Sequence, residues 1–244
     1  MDALISDVHA NLAALEVVLE DIDRRGVDRV FCLGDMIGYG PQPAECLDLL
    51  MKRCEWCLMG NHEYAVLHDA EGFNPIAEVA VDWTREQIVE TAQLKFLRSL
   101  KSARLEENIL YVHGSVHDPL MDYVREVESH DSFVDFVASL RRDFRRFDLC
   151  FTGHNHRAFL GTEDAFIYPH EVVSRFHVRG RKLYVCIGSV GQPRDDDPRA
   201  CYVTFDGDSV EYHRLVYDVE STARLMRKIP QLHPFLAERL FLGE

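Results

Sequence analysis

The chain has 244 residues, 47% of them hydrophobic and 28% charged, with a formal net charge of −14. That is enough apolar material for one well-packed core, so a single domain over residues 1–244 is expected. The negative charge opposes long DNA or RNA, whose affinity comes from clustered Lys and Arg, but leaves room for a small phosphorylated molecule at a local cationic site, because distant charge is screened over about 8 Å.

No basic stretch followed by an apolar run opens the chain, and no run approaches the roughly 18 apolar residues of a membrane span, so a cytoplasmic protein without membrane contact is expected. Seven cysteines scattered through apolar segments such as "RVFCLG" and "LYVCIG" fit buried thiols in a reducing compartment. Cys54 and Cys57 in "CEWC" have no second pair to complete a zinc site, and they too are read as structural thiols.

In chain order, "DALIS" reads as a strand. The segment "NLAALEVVLEDIDRRG" reads as a helix with Leu12, Leu15, Leu19 and Ile22 on one face and Gly26 as its stop. Then "VDRVFCLG" is a strand, "PAECLDLLMKR" a helix, and a strand follows near "EWCLMG". This alternation predicts a parallel sheet with right-handed crossovers. Residues 74–100 are helical, followed by the strand "NILYVHG", a helix near "DSFVDFVASLRRDF" and the strand "FDLCFTG". Beyond residue 157, turn-punctuated strands follow: "RAFLG", "RFHVRG", "KLYVCIG" and the hairpin "CYVTFDGDSVEYHRLV". Helices at "ESTARLMRKI" and "HPFLAERLF" come last. A parallel half followed by an antiparallel half predicts two sheets packed face to face with helices outside. The basic run "RRDFRR" at 141–146 reads as a solvated helix end.

Polar clusters stand at the ends of the core strands: Asp7-Val8-His9-Ala10-Asn11, Gly34-Asp35, Gly60-Asn61-His62-Glu63, His113-Gly114 and Gly153-His154-Asn155-His156. In open α/β sheets, ligands bind beyond the carboxyl ends of the strands, so these loops should converge. Asp7, Asp35, Asn61 and five imidazoles exceed what one proton relay needs, whereas two metal ions with about four protein ligands each would use nearly all of them. A lone Asp35 suits a bridge between the ions. His68, His117, His130, His170, His177, His213 and His233 read as ordinary surface or core histidines. Asn11 suits an N-cap, a phosphate contact, or both.

These motifs, D-x-H, GD, GNH[D/E], H and GHxH over residues 7 to 156, resemble the calcineurin-like metallophosphoesterase superfamily. The stretches "GDMIGYGPQP" and "GSVGQPRDDDPRA" look like its bacterial branch related to diadenosine-tetraphosphate hydrolases and small phosphodiesterases. The resemblance implies an α/β fold, a four-layer αββα sandwich of two mixed sheets flanked by helices. It implies one metal on Asp7, His9, Asp35 and His156, and a second on Asp35, Asn61, His113 and His154. His62 would then protonate or orient the leaving oxygen, and Glu63 would hold its imidazole.

Two divalent ions, manganese first with iron, zinc or nickel as alternatives, would leave a charge of about +2 against Asp7 and Asp35, enough to hold phosphate. A water bridging them would lose its proton and attack phosphorus in line. The expected activity is hydrolysis of small phosphodiesters or nucleotide-type substrates such as dinucleoside polyphosphates. The alternatives are phosphomonoesters, or a non-catalytic scaffold on the same fold. The protein phosphatases of the superfamily carry an arginine just after the second motif; "GDMIGYG" lacks it. Position 10 is Ala where many members have Gly, and Glu63 replaces the commoner Asp. Arg194 in "GQPR" is the candidate for a second phosphate contact, with a salt bridge to Asp195–Asp197 as its other reading. Tyr39 is a candidate for lining the base or leaving-group side.

Overall fold

The computed structural model describes residues 1–89, 91–169, 175–178 and 180–244. Strand β1 (Asp2–Ile5) leads through α1 (Leu12–Arg25) to β2 (Arg29–Cys32), and α2 (Pro43–Arg53) leads to β3 (Trp56–Cys57). Helices α3 (Asn61–Leu67), α4 (Pro75–Gln87) and α5 (Thr91–Ser99) precede β4 (Ala103–Glu106) and β5 (Ile109–Val112). Then come α6 (His130–Asp143), β6 (Leu149–Thr152), β7 (Ala158–Thr162), β8 (Phe166–Ile167), β9 (Arg175–His177) and β10 (Leu183–Ile187). The hairpin β11 (Ala200–Phe205) and β12 (Ser209–Leu215) is followed by α7 (Val219–Met226), α8 (Pro234–Glu238) and a short 3-10 turn, Arg239–Phe241.

The local reasons are those the residues announce. Asn11 caps α1 by accepting from the Ala14 amide at 3.3 Å, and Gly26 ends it in the left-handed region at φ 65°. Pro43 opens α2, where its missing N–H costs nothing. The run "RRDFRR" begins in the last turn of α6, with Arg141, Arg142, Arg145 and Arg146 all exposed. Among the described residues, no helix is long and apolar enough to cross a membrane. All seven cysteines are free thiols, and six are buried, Cys57 included.

Two six-stranded mixed sheets result, ordered β3-β2-β1-β11-β12-β9 and β4-β5-β6-β10-β7-β8. Alternation along each strand assigns its two faces. Leu4, Phe31, Val203 and Tyr212 of the first sheet meet Phe151, Leu160 and Val185 of the second in the middle. Ala3, Ile5 and Cys32 point the other way, against Leu15, Val18 and Ile22 of α1 and Leu47 of α2. Cys150, Phe159 and Tyr184 pack outward on Phe136 and Leu140 of α6. The order of layers is therefore helix, sheet, sheet, helix.

The expected sandwich of two mixed sheets is what forms, with the parallel and antiparallel halves of the chain shared between them. β1 lies between parallel β2 and antiparallel β11, with Leu4 opposite Phe31 and Val203. β10 lies between parallel β6 and antiparallel β7. Each sheet takes strands from both halves, and flanking on both edges satisfies the backbone donors and acceptors of the buried strands β1 and β10.

Candidate metal centre

The loops after β1, β2, β3, β5 and β6 meet at one end of the two sheets. Backbone hydrogen bonds tie the first two together: Asp7 N to Gly34 O at 3.1 Å, His9 N to Asp35 O at 3.0 Å and Ala10 N to Met36 O at 3.0 Å. Within this frame Asp7, His9, Ala10, Asp35, His154 and His156 all have positive φ, between 46° and 60°. Residues with a Cβ adopt that region at a cost of about 1–2 kcal/mol each, which the surrounding bonds must offset. The reward is direction, because the reversed backbone turns successive side chains inward.

Two donor clusters result, Asp7, His9, Asp35 and His156 in one and Asp35, His113 and His154 in the other, each within 4.8 Å. Asp35 belongs to both. Asn61 joins the second, its Oδ1 lying 3.1 Å from His113 Nε2. Every one of these side chains is buried, Asn61 the most open at 8% exposure. The structure thus brings together all seven residues singled out from the motifs.

Each imidazole is oriented through its remote nitrogen. His9, His113 and His156 direct Nδ1 to the carbonyls of Ile37, Leu33 and Gln192, at 3.1, 2.9 and 2.6 Å. This places the proton on Nδ1 and leaves Nε2 as a lone pair facing inward. His154 is turned the other way, with Nε2 directed to Met121 O at 3.3 Å and Nδ1 free for the centre.

Lone pairs then face lone pairs. His9 Nε2 and His156 Nε2 are 3.0 Å apart, His113 Nε2 opposes the carboxamide oxygen of Asn61, and the buried Asp7 Oδ1 has no hydrogen-bond partner. Such an arrangement calls for positive charge between the donors, so the residues fit a pair of divalent cations. The metal-free chain responds in the same sense. Burial alone would lower the pKa of His113, yet the Asp35 carboxylate raises it to about 9. Burial would raise Asp7 and Asp35, but neighbouring imidazoles, His156 for the first and His113 for the second, hold both below the usual carboxylate range.

His62 stands beside the clusters without joining them. Its amide donates to Asp35 Oδ1 at 2.9 Å, while its ring packs edge-on against His9 and Phe73, and burial lowers its pKa to about 4. Its Nδ1 is buried without a partner.

Glu63 does not hold that imidazole, which corrects the expectation. Its carboxylate accepts from the amides of Asp35, Met36 and Gly60, each at 2.8 Å, and of Ile37 at 3.2 Å. It therefore clamps the loop carrying Asp35 to the start of α3. Burial and the Asp35 charge raise its pKa to about 7. Asn11 is likewise spent internally: Oδ1 accepts from Ala14 N and Thr222 Oγ1, and Nδ2 donates to Gly191 O at 2.9 Å. It is a cap and a strut that ties α1 to α7 and to the Gly191 loop.

Tyr39 does border the centre, its ring 4.8 Å from His9 and 4.5 Å from His62. Arg194 lies over Tyr39 at 6.0 Å and donates to Gln192 Oε1 at 2.7 Å. It forms none of the suggested salt bridges, since Asp195 pairs with Arg214 and Asp197 with Arg199. Of the other histidines, His68, His117, His130, His177 and His233 are exposed and His213 is buried on Thr204, none in either cluster; His170 lies outside the described residues. No motif points to Tyr123, which stacks on His154 with centroids 3.9 Å apart, or to Arg239, which reaches Gln192 from 47 positions downstream.

Residues 3–158 match the model of the calcineurin-like phosphoesterase family. An uncharacterized protein of Methanocaldococcus jannaschii is 37% identical, with 100% of this chain and 98% of that protein covered. The crystal structure of a metallophosphoesterase from Sphaerobacter thermophilus superposes with a TM-score of 0.85 at 35% identity, covering 100% of this chain and 98% of the other. A hypothetical protein from Pyrococcus horikoshii shares the fold at 16% identity, with a TM-score of 0.78 and 100% and 99% covered. With its two donor clusters sharing Asp35, the chain belongs to the calcineurin-like phosphoesterases and is a metal-dependent phosphoesterase.

Proposed function

We propose that the substrates are small phosphodiesters or nucleotide-type compounds such as dinucleoside polyphosphates. In this reading one ion is held by Asp7, His9, Asp35 and His156, and the other by Asp35, Asn61, His113 and His154. The observation that carries it is the facing of buried lone pairs, His9 Nε2 against His156 Nε2 at 3.0 Å. Manganese is the first choice for a set of two carboxylates, one carboxamide and four imidazoles, with iron, zinc and nickel as alternatives. When bound, the two ions supply positive charge against the phosphate oxygens and acidify a water enough to serve as nucleophile near neutral pH.

The chain's own groups do the rest. Carbonyl-anchored imidazoles keep the donors from collapsing or swinging away. His62 is fixed through its amide on Asp35 and hydrogen-bonds the leaving oxygen. Tyr39 lines the leaving-group side, and Arg194 meets phosphate with its guanidinium. The charge of −14 stands against a long nucleic acid, and seven free thiols support a reducing, cytoplasmic setting.

The test is to strip the protein with chelator, restore manganese, and measure hydrolysis of an aryl phosphodiester, its monoester and a dinucleoside tetraphosphate. Metal-dependent turnover led by the diester or the tetraphosphate is expected. Preference for the monoester would move the substrate class. Bound metal with no turnover on all three would overturn the reading in favour of a scaffold.

A further inference from the structure

Two guanidinium groups converge on one neutral oxygen beside the donor clusters. Arg194 Nη2 and Arg239 Nη1 both donate to Gln192 Oε1, at 2.7 and 3.2 Å. The same residue holds a metal-site imidazole, since His156 Nδ1 contacts the Gln192 carbonyl at 2.6 Å, and the Arg194 amide donates to His156 O at 3.1 Å. The fork is thus built onto the backbone that orients His156.

Arg194 forms no ion pair with a described carboxylate. Arg239 donates through Nε to the main-chain oxygen of Glu244, the last residue, and lies over the Phe235 ring at 5.1 Å, which leaves its Nη1 on the neutral Gln192 oxygen. Arg194 otherwise contacts the Tyr39 ring and the Tyr123 side chain, and its Nε is buried without a partner. In a chain where Asp and Glu outnumber Lys and Arg 41 to 27, two half-buried arginines facing each other across a carboxamide are out of pattern. Arg199 and Arg214, from the same region, are neutralised by Asp197 and Asp195. Like charges this close repel each other, and burial together with Arg194 lowers the pKa of Arg239 to about 10. Where the two Nη groups converge they meet a neutral carboxamide oxygen rather than an anion, and guanidinium forks match phosphate geometry.

We propose that Arg194 and Arg239 bind a second phosphate attached to the one at the metal centre, so that the chain selects phosphoanhydrides over simple aryl or alkyl esters. The inference rests on the substrate site proposed above and names its preferred class. Hydrolysis then breaks one P–O bond of the anhydride. The water oxygen joins the phosphorus at the metal centre, and the bridging oxygen leaves with the second phosphate. The water's protons pass to the products and solvent. The two guanidiniums meet the charge that develops on the departing phosphate.

The experiment is calorimetric titration of the manganese-loaded protein with methylenediphosphonate and, separately, with methylphosphonate, with metal content measured before and after. The wild-type chain is expected to favour the diphosphonate by about 100-fold. Arg239→Gln, which keeps a side-chain donor for Gln192, should weaken that ligand by about 10-fold or more while leaving methylphosphonate affinity within about 2-fold. Arg194→Gln should likewise weaken the diphosphonate by about 10-fold or more, so that failure of one variant to fold does not decide the matter. Equal losses on both ligands, or none, in folded metal-loaded variants would overturn the subsite. Hydrolysis of an aryl phosphodiester is followed alongside: no turnover with selective diphosphonate binding retained refutes the catalytic reading alone, and turnover without selectivity refutes the subsite alone.

Discussion

Gly38 offers a way to move His62 without touching a metal donor. Gly38 sits at φ +85°, and a Cβ built there would lie 2.1 Å from His62 Nδ1 and 2.9 Å from Cγ and Cε1. Ordinary contact requires about 3.4 Å or more, so Gly38→Ala must shift the ring by about 1 Å. A misplacement of that size costs on the order of 100-fold in turnover when the group acts in the chemical step. The positive φ itself adds about 1 kcal/mol of strain. Gly72 supplies the control, because at φ +83° it meets nothing within 4 Å, so Gly72→Ala carries the backbone strain alone. The assay is kcat and KM on an aryl phosphodiester, with metal stoichiometry and urea unfolding for both variants. The expected result is two ions bound in each, similar stability losses, and a fall in kcat of about 100-fold for Gly38→Ala only. A Gly38→Ala enzyme with intact kcat would refute a role for His62 in the reaction.

Removing the Glu63 carboxylate in Glu63→Ala strands four backbone amides, so a loss of about 3–5 kcal/mol in urea unfolding is expected, together with weaker metal retention by elemental analysis. Asn11→Ala removes a helix cap and the ties to Thr222 and Gly191; about 2 kcal/mol should be lost with metal stoichiometry unchanged, and loss of metal instead would make Asn11 part of the centre. His213, hydrogen-bonded to Thr204, has its pKa lowered by burial to about 4. Between that value and an unfolded value of about 6.5 the unfolded chain binds more protons, so this group's contribution is complete above pH 6.5 and falls as pH drops toward 4, by at most about 1.4 kcal/mol per unit. His213→Gln should flatten stability against pH in that window, and an unchanged slope would count against the burial argument.

Much of this architecture was legible because local rules and global fold agree. The segment "PAECLDLLMKR" coincides with α2, and the cap and stop of α1 are Asn11 and Gly26 as their chemistry suggests. The polar clusters converge because a strand end followed by a reversed backbone has few places to point. What escaped is non-local. Nothing in "DALI" tells that its second neighbour is residues 200–205, and the start of α3 inside the motif at Asn61 was masked by the functional residues there. The fate of Glu63 depended on amides 26 to 28 residues away, which leave no periodic trace. Arg239 lies in an unremarkable segment, "AERLF", and its partner Gln192 is 47 positions upstream.

The insertion of β11 beside β1 also dictates when the centre can exist during synthesis. Asp7 emerges long before residues 189–192, yet its carbonyl is bound by Ser189 Oγ and Gly191 N, and His156 is oriented by Gln192. At translation rates of roughly 5–20 residues per second, the chain spends seconds with Asp7, His9 and Asp35 already made but no partner loop to hold them. Cations met in that interval encounter loose single donors, not a cage. Stable metal capture is therefore a late event in the life of each molecule, tied to closure of the sheet by its distant strand.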